Sequence, residues 1–94
     1  MRTIDRSTAF RRDYKKESKG KHRKLLDEVL IEALESLLVD APLAHRYRDH
    51  ELVGNWVGYR ECHLKPDLLL IYKKVGDQVL HLARLGSHSK LFNK

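Results

Sequence analysis

Apolar residues along this chain follow two rhythms. From His22 to Val39 they fall in two adjacent rows, Leu25, Val29, Ala33, Leu37 and Leu26, Leu30, Leu34, Leu38. Spacing of four in both rows draws one broad stripe on an α-helix, so the pattern predicts an amphipathic helix that Pro42 ends. Ahead of it, Ser7 is a good N-cap for a helix running to about Ser18, with Phe10 and Tyr14 one turn apart and Gly20 as its breaker. Arg2–Asp5 reads as a short strand, and residues 41–55 as a loop carrying His45, Asp49 and His50. Beyond the loop the period becomes strand-like and predicts Trp56–Leu64, Leu68–Lys73 and Gln78–Leu85. The turns Lys65-Pro66-Asp67 and Val75-Gly76-Asp77 are short, which implies antiparallel hairpins. The order β-α-α-β-β-β predicts an α+β fold, two helices on one face of a small, mostly antiparallel, four-stranded sheet.

With 94 residues the chain suits one compact domain. Its net charge of +6 is unevenly placed. Residues 1–24 hold ten of the 19 Lys and Arg against three acids, and the other nine cations face ten acids. A dense basic segment such as Arg11, Arg12, Lys15 and Lys16 attracts a polyanion, although it serves equally as a solvated helix face. The single cysteine, Cys62, allows no intramolecular disulfide and fits a reducing cytosol. Met1–Asp5 lacks the apolar stretch of a secretory signal, and no apolar run approaches the ~20 residues of a membrane span. A cytoplasmic domain with no membrane partner is the expectation.

The strand order brings distant side chains together. His63 ends one strand and Asp67 opens the next, and in a meander Arg84 and then His88 return to that same sheet end. His50, in the loop leading into the sheet, can reach the same cleft. These residue types suit metal-independent RNA cleavage. A ribose 2′-hydroxyl must lose a proton as it attacks the phosphate, and the 5′-oxygen must gain one as it leaves. Histidine titrates near neutrality and can do either. An arginine fork matches phosphate oxygens in the transition state, and Asp67 can orient a neighbouring imidazole. Phe92 offers a stacking surface for an unpaired base. Each residue also has a plainer reading: a surface histidine, a strand-end charge, a turn aspartate. Zinc bound by three histidines and an aspartate is a weaker reading, for want of cysteine ligands or a His-Glu-x-x-His helix. Cys62 and His63 point to opposite strand faces, which argues against a cysteine–histidine pair. His22, His45 and His81 look incidental, and Trp56, Tyr59 and Tyr72 read as strand aromatics.

The stretch from Tyr47 to Asp67, with its pattern D-H-x-L-x-G-x-W-x-G-Y-R-x-x-H-x-x-P-D, resembles the YafQ branch of the RelE/ParE toxin superfamily. The ending Arg84-x-Gly86-x-His88-x-x-Leu91-Phe92 resembles it too. The resemblance implies a type II toxin–antitoxin toxin: an endoribonuclease that cuts mRNA on the translating ribosome, without metal or other cofactor. It implies an antitoxin of the DinJ or RelB kind as partner, and ribosomal RNA as a target for the basic helix. It carries functional roles onto His50, His63, Asp67, Arg84, His88 and Phe92, with His88 as general acid, Arg84 as phosphate clamp and either His50 or His63 as base. Leu68 departs from relatives that have Trp after the aspartate. A ParE-like toxin directed at gyrase is a rival that the histidine set argues against, and a noncatalytic RNA- or antitoxin-binding module is another.

Overall fold

A computed structural model describes residues 1–92 of the chain. Its elements are β1 (Thr3–Arg6), α1 (Thr8–Glu17), α2 (Leu26–Leu38), β2 (His50–Glu51), β3 (Arg60–Lys65), β4 (Leu68–Val75), β5 (Val79–Gly86) and α3 (His88–Leu91). The sheet runs β1-β5-β4-β3-β2, parallel only between β1 and β5. The α+β architecture is as the sequence predicts, but the sheet has five strands where four are expected. The extra one is β2, inside the stretch read as a loop, and it puts His50 on a strand paired to Glu61. The strand expected from Trp56 starts only at Arg60, because Gly54 (φ 67°) and Gly58 (φ 93°) turn the chain through a 3-10 turn at Gly54–Trp56.

Helix starts follow local chemistry. Ser7 Oγ accepts from Phe10 N at 2.9 Å and caps α1. The second helix begins at Leu26 rather than His22. Lys21, Arg23 and Lys24 oppose the positive N-terminal end of a helix dipole, whereas Asp27 and Glu28 suit it. Residues 21–25 instead form hydrogen-bonded turns.

The two faces of the sheet differ. Alternate residues Cys62, Leu64, Leu68, Leu70, Tyr72, Leu80, Leu82 and Leu85 pack against Phe10, Leu26, Leu30, Ala33 and Leu37 of the helices. The opposite face carries a smaller cluster of Leu69, Ile71, Ala83 and Leu91, flanked by Leu52, Trp56, Tyr59 and Phe92. Leu68 to Tyr72 are buried on both faces, as a central strand requires. β1 stops at Arg6, so the last half of β5 has no strand on its outer side, and α1 closes that edge. Ser7 Oγ donates to Ala83 O at 2.7 Å, and Leu85 N donates to Asp13 Oδ2 at 2.9 Å.

Candidate active site

The candidate residues line the thinly covered face and one end of the sheet. In an antiparallel ladder, directly paired residues share a face. His63 pairs with Leu69, and Leu69 with Gly86, so one row crosses β3, β4 and β5 and ends one residue before the Ser87-His88 corner. The neighbouring row runs His50, Glu61, Ile71, Arg84. A β-bulge in β5 between Leu82 and Arg84 lets both Ala83 and Arg84 lie against Ile71. With strands ~4.8 Å apart, His63 and the start of α3 are about 10 Å apart across the face, while His50 and Arg84 flank it at about 14 Å. His50, His63 and Arg84 therefore share a face, spaced across it, with the His88 corner at its end.

His88 opens α3, whose N-cap Ser87 accepts from Lys90 N at 3.3 Å. The Phe92 ring lies one turn on, with its centroid 4.9 Å from that of His88, and packs on the Leu69–Ile71 cluster. Arg84 is held sideways. Its Nε and Nη2 donate to Asp13 of α1 at 2.7 and 3.1 Å, which raises the guanidinium pKa further and leaves Nη1 unspent. Among the described residues, no side-chain hydrogen bond engages either ring nitrogen of His63. The His63 position borders a groove of about 490 Å³ shared with Glu28, Arg46, Tyr47 and Lys65.

His50 is differently placed. Its Nδ1 donates to the carbonyl oxygen of Arg48 at 2.7 Å, and its Nε2 lies 3.1 Å from Glu61 Oε1. A carbonyl oxygen only accepts, so Nδ1 carries a proton and Nε2 is the nitrogen that faces the carboxylate. Arg48 sits at φ 49°, a left-handed conformation that turns its carbonyl to the ring. The preceding residue is pinned as well: Asp49 accepts from Arg60 Nη2 at 2.9 Å and from the Tyr72 hydroxyl. Burial, then that bond to Asp49, pushes the Tyr72 hydroxyl far above its ordinary range.

Asp67 does not do what the sequence suggests. It is exposed in the β3–β4 turn, 3.5 Å from Lys21 Nζ, and no imidazole is bonded to it among the described residues. The carboxylate beside a site histidine is Glu61, which the sequence reading passed over. Glu61 is only 4% exposed, and its second oxygen, Oε2, is buried without a partner among the described residues. Its signal was available: it lies two residues before His63 and so on the same strand face. Asp13, missed likewise, was hidden on a helix whose charged residues, Glu17 apart, are otherwise cations. Arg11, Arg12, Lys15 and Lys16 are exposed on α1, as expected. Cys62 is buried on the helix-covered face, and burial first, then Asp49 and Glu61, pushes its thiol far up, which leaves it inert. Among the described residues no three His, Cys, Asp or Glu side chains cluster as a metal site requires.

A two-layer α+β domain with one sheet face sealed by helices and the other lined by histidines, a guanidinium and a stacked phenylalanine is the architecture of a small sheet-based toxin. The chain belongs to the YafQ family, bacterial toxins of type II toxin–antitoxin systems, whose profile matches residues 2–93. It is 37% identical over 91 residues to the mRNA interferase toxin YafQ of Escherichia coli K12, covering 95% of this chain and 98% of that protein. A crystal structure of YafQ from E. coli BL21(DE3) superposes with a TM-score of 0.85 at 35% identity, covering 99% of this chain and all of that one. The toxin of an E. coli DinJ–YafQ complex superposes at 0.81, with 35% identity and the same coverage.

Proposed function

We propose that the histidine-lined face of this toxin cleaves mRNA by internal attack of a 2′-hydroxyl, with His63 as general base and His88 as general acid. Membership of the family makes the protein an mRNA interferase, an endoribonuclease of a toxin–antitoxin pair. The observation that carries the mechanism is the row His63–Leu69–Gly86, which has His63 on one side of β4 and the turn leading to His88 on the other. In-line displacement needs that arrangement, because the attacking and leaving oxygens lie on opposite sides of the phosphorus. His63 is chosen over His50 because the ring of His50 is committed to Arg48 O and Glu61, whereas that of His63 is free among the described residues. His50, held between Arg48 O and Glu61, is a positioned polar group at the edge of the same face. Arg84, oriented by Asp13, offers Nη1 to the non-bridging oxygens as charge builds there. Phe92 stacks a base beside the leaving group, and Asp67 stays at the rim, where it holds Lys21.

A DinJ-like antitoxin is the partner that the E. coli complex supports. The exposed cations Arg11, Arg12, Lys15 and Lys16 of α1 suit ribosomal RNA, which supports action on translating ribosomes and hence in the cytoplasm. Consistent with that, no helix among the described residues is long and apolar enough to cross a membrane. The test is translation in vitro, with RNA ends mapped by primer extension. The proposal expects cuts inside the translated message, a 2′,3′-cyclic phosphate at the new end, and no effect of a chelator that takes zinc or copper but leaves the ribosomes their magnesium. Messages left intact with and without ribosomes overturn the nuclease reading. Loss of cutting on chelation overturns the metal-free chemistry.

A further inference from the structure

The function so far leaves the most basic stretch of the chain unused. Between Glu17 and Asp27 there is no acid, and Lys19, Lys21, Arg23 and Lys24 all fall there. All four are exposed, yet the loop is ordered: Gly20 N donates to Glu17 O, Arg23 N to Gly20 O and Leu25 N to His22 O. It bends around an open concavity of about 520 Å³ lined by Lys21, His22, Arg23, Lys24 and Leu25.

Its position gives this charge a direction. Lys21 Nζ lies 3.5 Å from Asp67 in the β3–β4 turn. Glu17, where the loop begins, lies 3.5 Å from Lys90 Nζ of α3 and packs beside Gly86. The loop therefore closes off the sheet end that carries Asp67 on one side and the His88 corner on the other. Lys19, Arg23 and Lys24 make no ion pair among the described residues, unlike Arg2, Arg46, Arg60, Lys74 and Arg84.

We propose that this α1–α2 loop is the phosphate-binding track for the single-stranded message as it leaves the cleavage site. The inference rests on the open face being that site. An RNA with one phosphate between His63 and His88 must run on past the sheet end, and unpaired cations at that edge meet its next phosphates at little desolvation cost. A protein partner fits less well, since lysine is depleted in protein interfaces and Leu25 is the loop's one apolar side chain.

The test is the affinity of the purified full chain for a fluorescent single-stranded RNA made uncleavable by 2′-O-methylation, measured over a range of salt. Arg23→Gln/Lys24→Gln should weaken binding on the order of tenfold near 0.1 M salt and flatten the salt slope by about 1.4, at ~0.7 per lost phosphate contact. A second variant adds Glu35→Gln and Asp77→Asn, both exposed, to restore the wild-type net charge. It should stay as weak as the first. Recovery of affinity in that variant means net charge alone was responsible, and overturns the proposal. So does unchanged RNA binding by the first variant, including the case where it loses an acidic antitoxin instead. Melting temperatures within about 2 °C of wild type certify folding. Cleavage separates the two levels: wild type that cuts, with a loop variant of unchanged affinity, refutes the loop alone, whereas wild type that never cuts refutes the site.

Discussion

The two faces of this sheet are built from alternate residues of the same strands, and they differ in almost every physical respect. The face under α1 and α2 is a dry aliphatic core in which Leu68, Leu70, Tyr72, Leu80 and Leu82 are at most 1% exposed. The other face has a short apolar strip of Leu69, Ile71 and Ala83, bordered by Glu61, His63 and Arg84. A stability-driven design would not bury Glu61 with one oxygen lacking a partner among the described residues. The first face supplies folding free energy and the second spends some of it to hold polar groups in place. Fourteen buried residues make up the first cluster and four the second, so the stability is concentrated on the helix side.

Substitutions on the two faces should therefore separate activity from stability. His88→Ala should slow single-turnover cleavage by roughly 10²–10⁴-fold, the usual cost of losing a general acid, with little change in melting temperature because His88 is exposed. Leu68→Ala, on the sealed face, should cost about 2–5 kcal/mol and at least about 8 °C of melting temperature, while molecules that stay folded cleave normally. A large drop in melting temperature for the first, or a specific kinetic defect in folded protein for the second, would break the distinction.

Much of this division was legible in the sequence. The two leucine rows of α2 specify a core-facing stripe, and the apolar run Leu68–Tyr72 specifies a strand buried on both sides. The meander geometry brought His63 and His88 to one sheet end. Three things were hidden. Gly54 and Gly58 turn the chain where alternation around Trp56 suggested a strand, since periodicity does not register a positive φ. The short β2 is held by register with β3 and by the Asp49–Arg60–Tyr72 contacts, all made across sequence gaps. Asp67 drew attention because it opens the strand after His63, but the carboxylate that meets an imidazole is Glu61, whose burial depends on the whole sheet closing over it.

Smaller changes sharpen the contrast. Glu61→Gln keeps the shape and an acceptor for His50 Nε2 but removes the charge. It should leave the melting temperature unchanged or raised and lower the cleavage rate by about tenfold, as loss of an orienting partner does. A destabilised variant with full activity would make Glu61 a structural residue only. The smallest effect lies far from the site. Bonds from Lys74 Nζ at 2.6 Å and from Arg2 Nε at 3.0 Å hold the Asp40 carboxyl below its ordinary range. A depressed carboxyl stabilises the fold at neutral pH and loses that contribution as the pH falls through its lowered value. Asp40→Asn should flatten the acid limb of melting temperature below about pH 4, the ordinary carboxyl value, with cleavage at neutral pH unchanged. An acid limb identical to wild type would remove Asp40 from the account.

The central claim is that His88 protonates the leaving 5′-oxygen, and one substrate tests it directly. An mRNA carrying a single 5′-phosphorothiolate at the mapped cleavage position has a sulfur leaving group that needs no proton. On this substrate in the translating ribosome, His88→Ala should cleave at nearly the wild-type rate, while His63→Ala remains slow. An equal defect of His88→Ala on the oxygen and sulfur substrates would contradict the assignment.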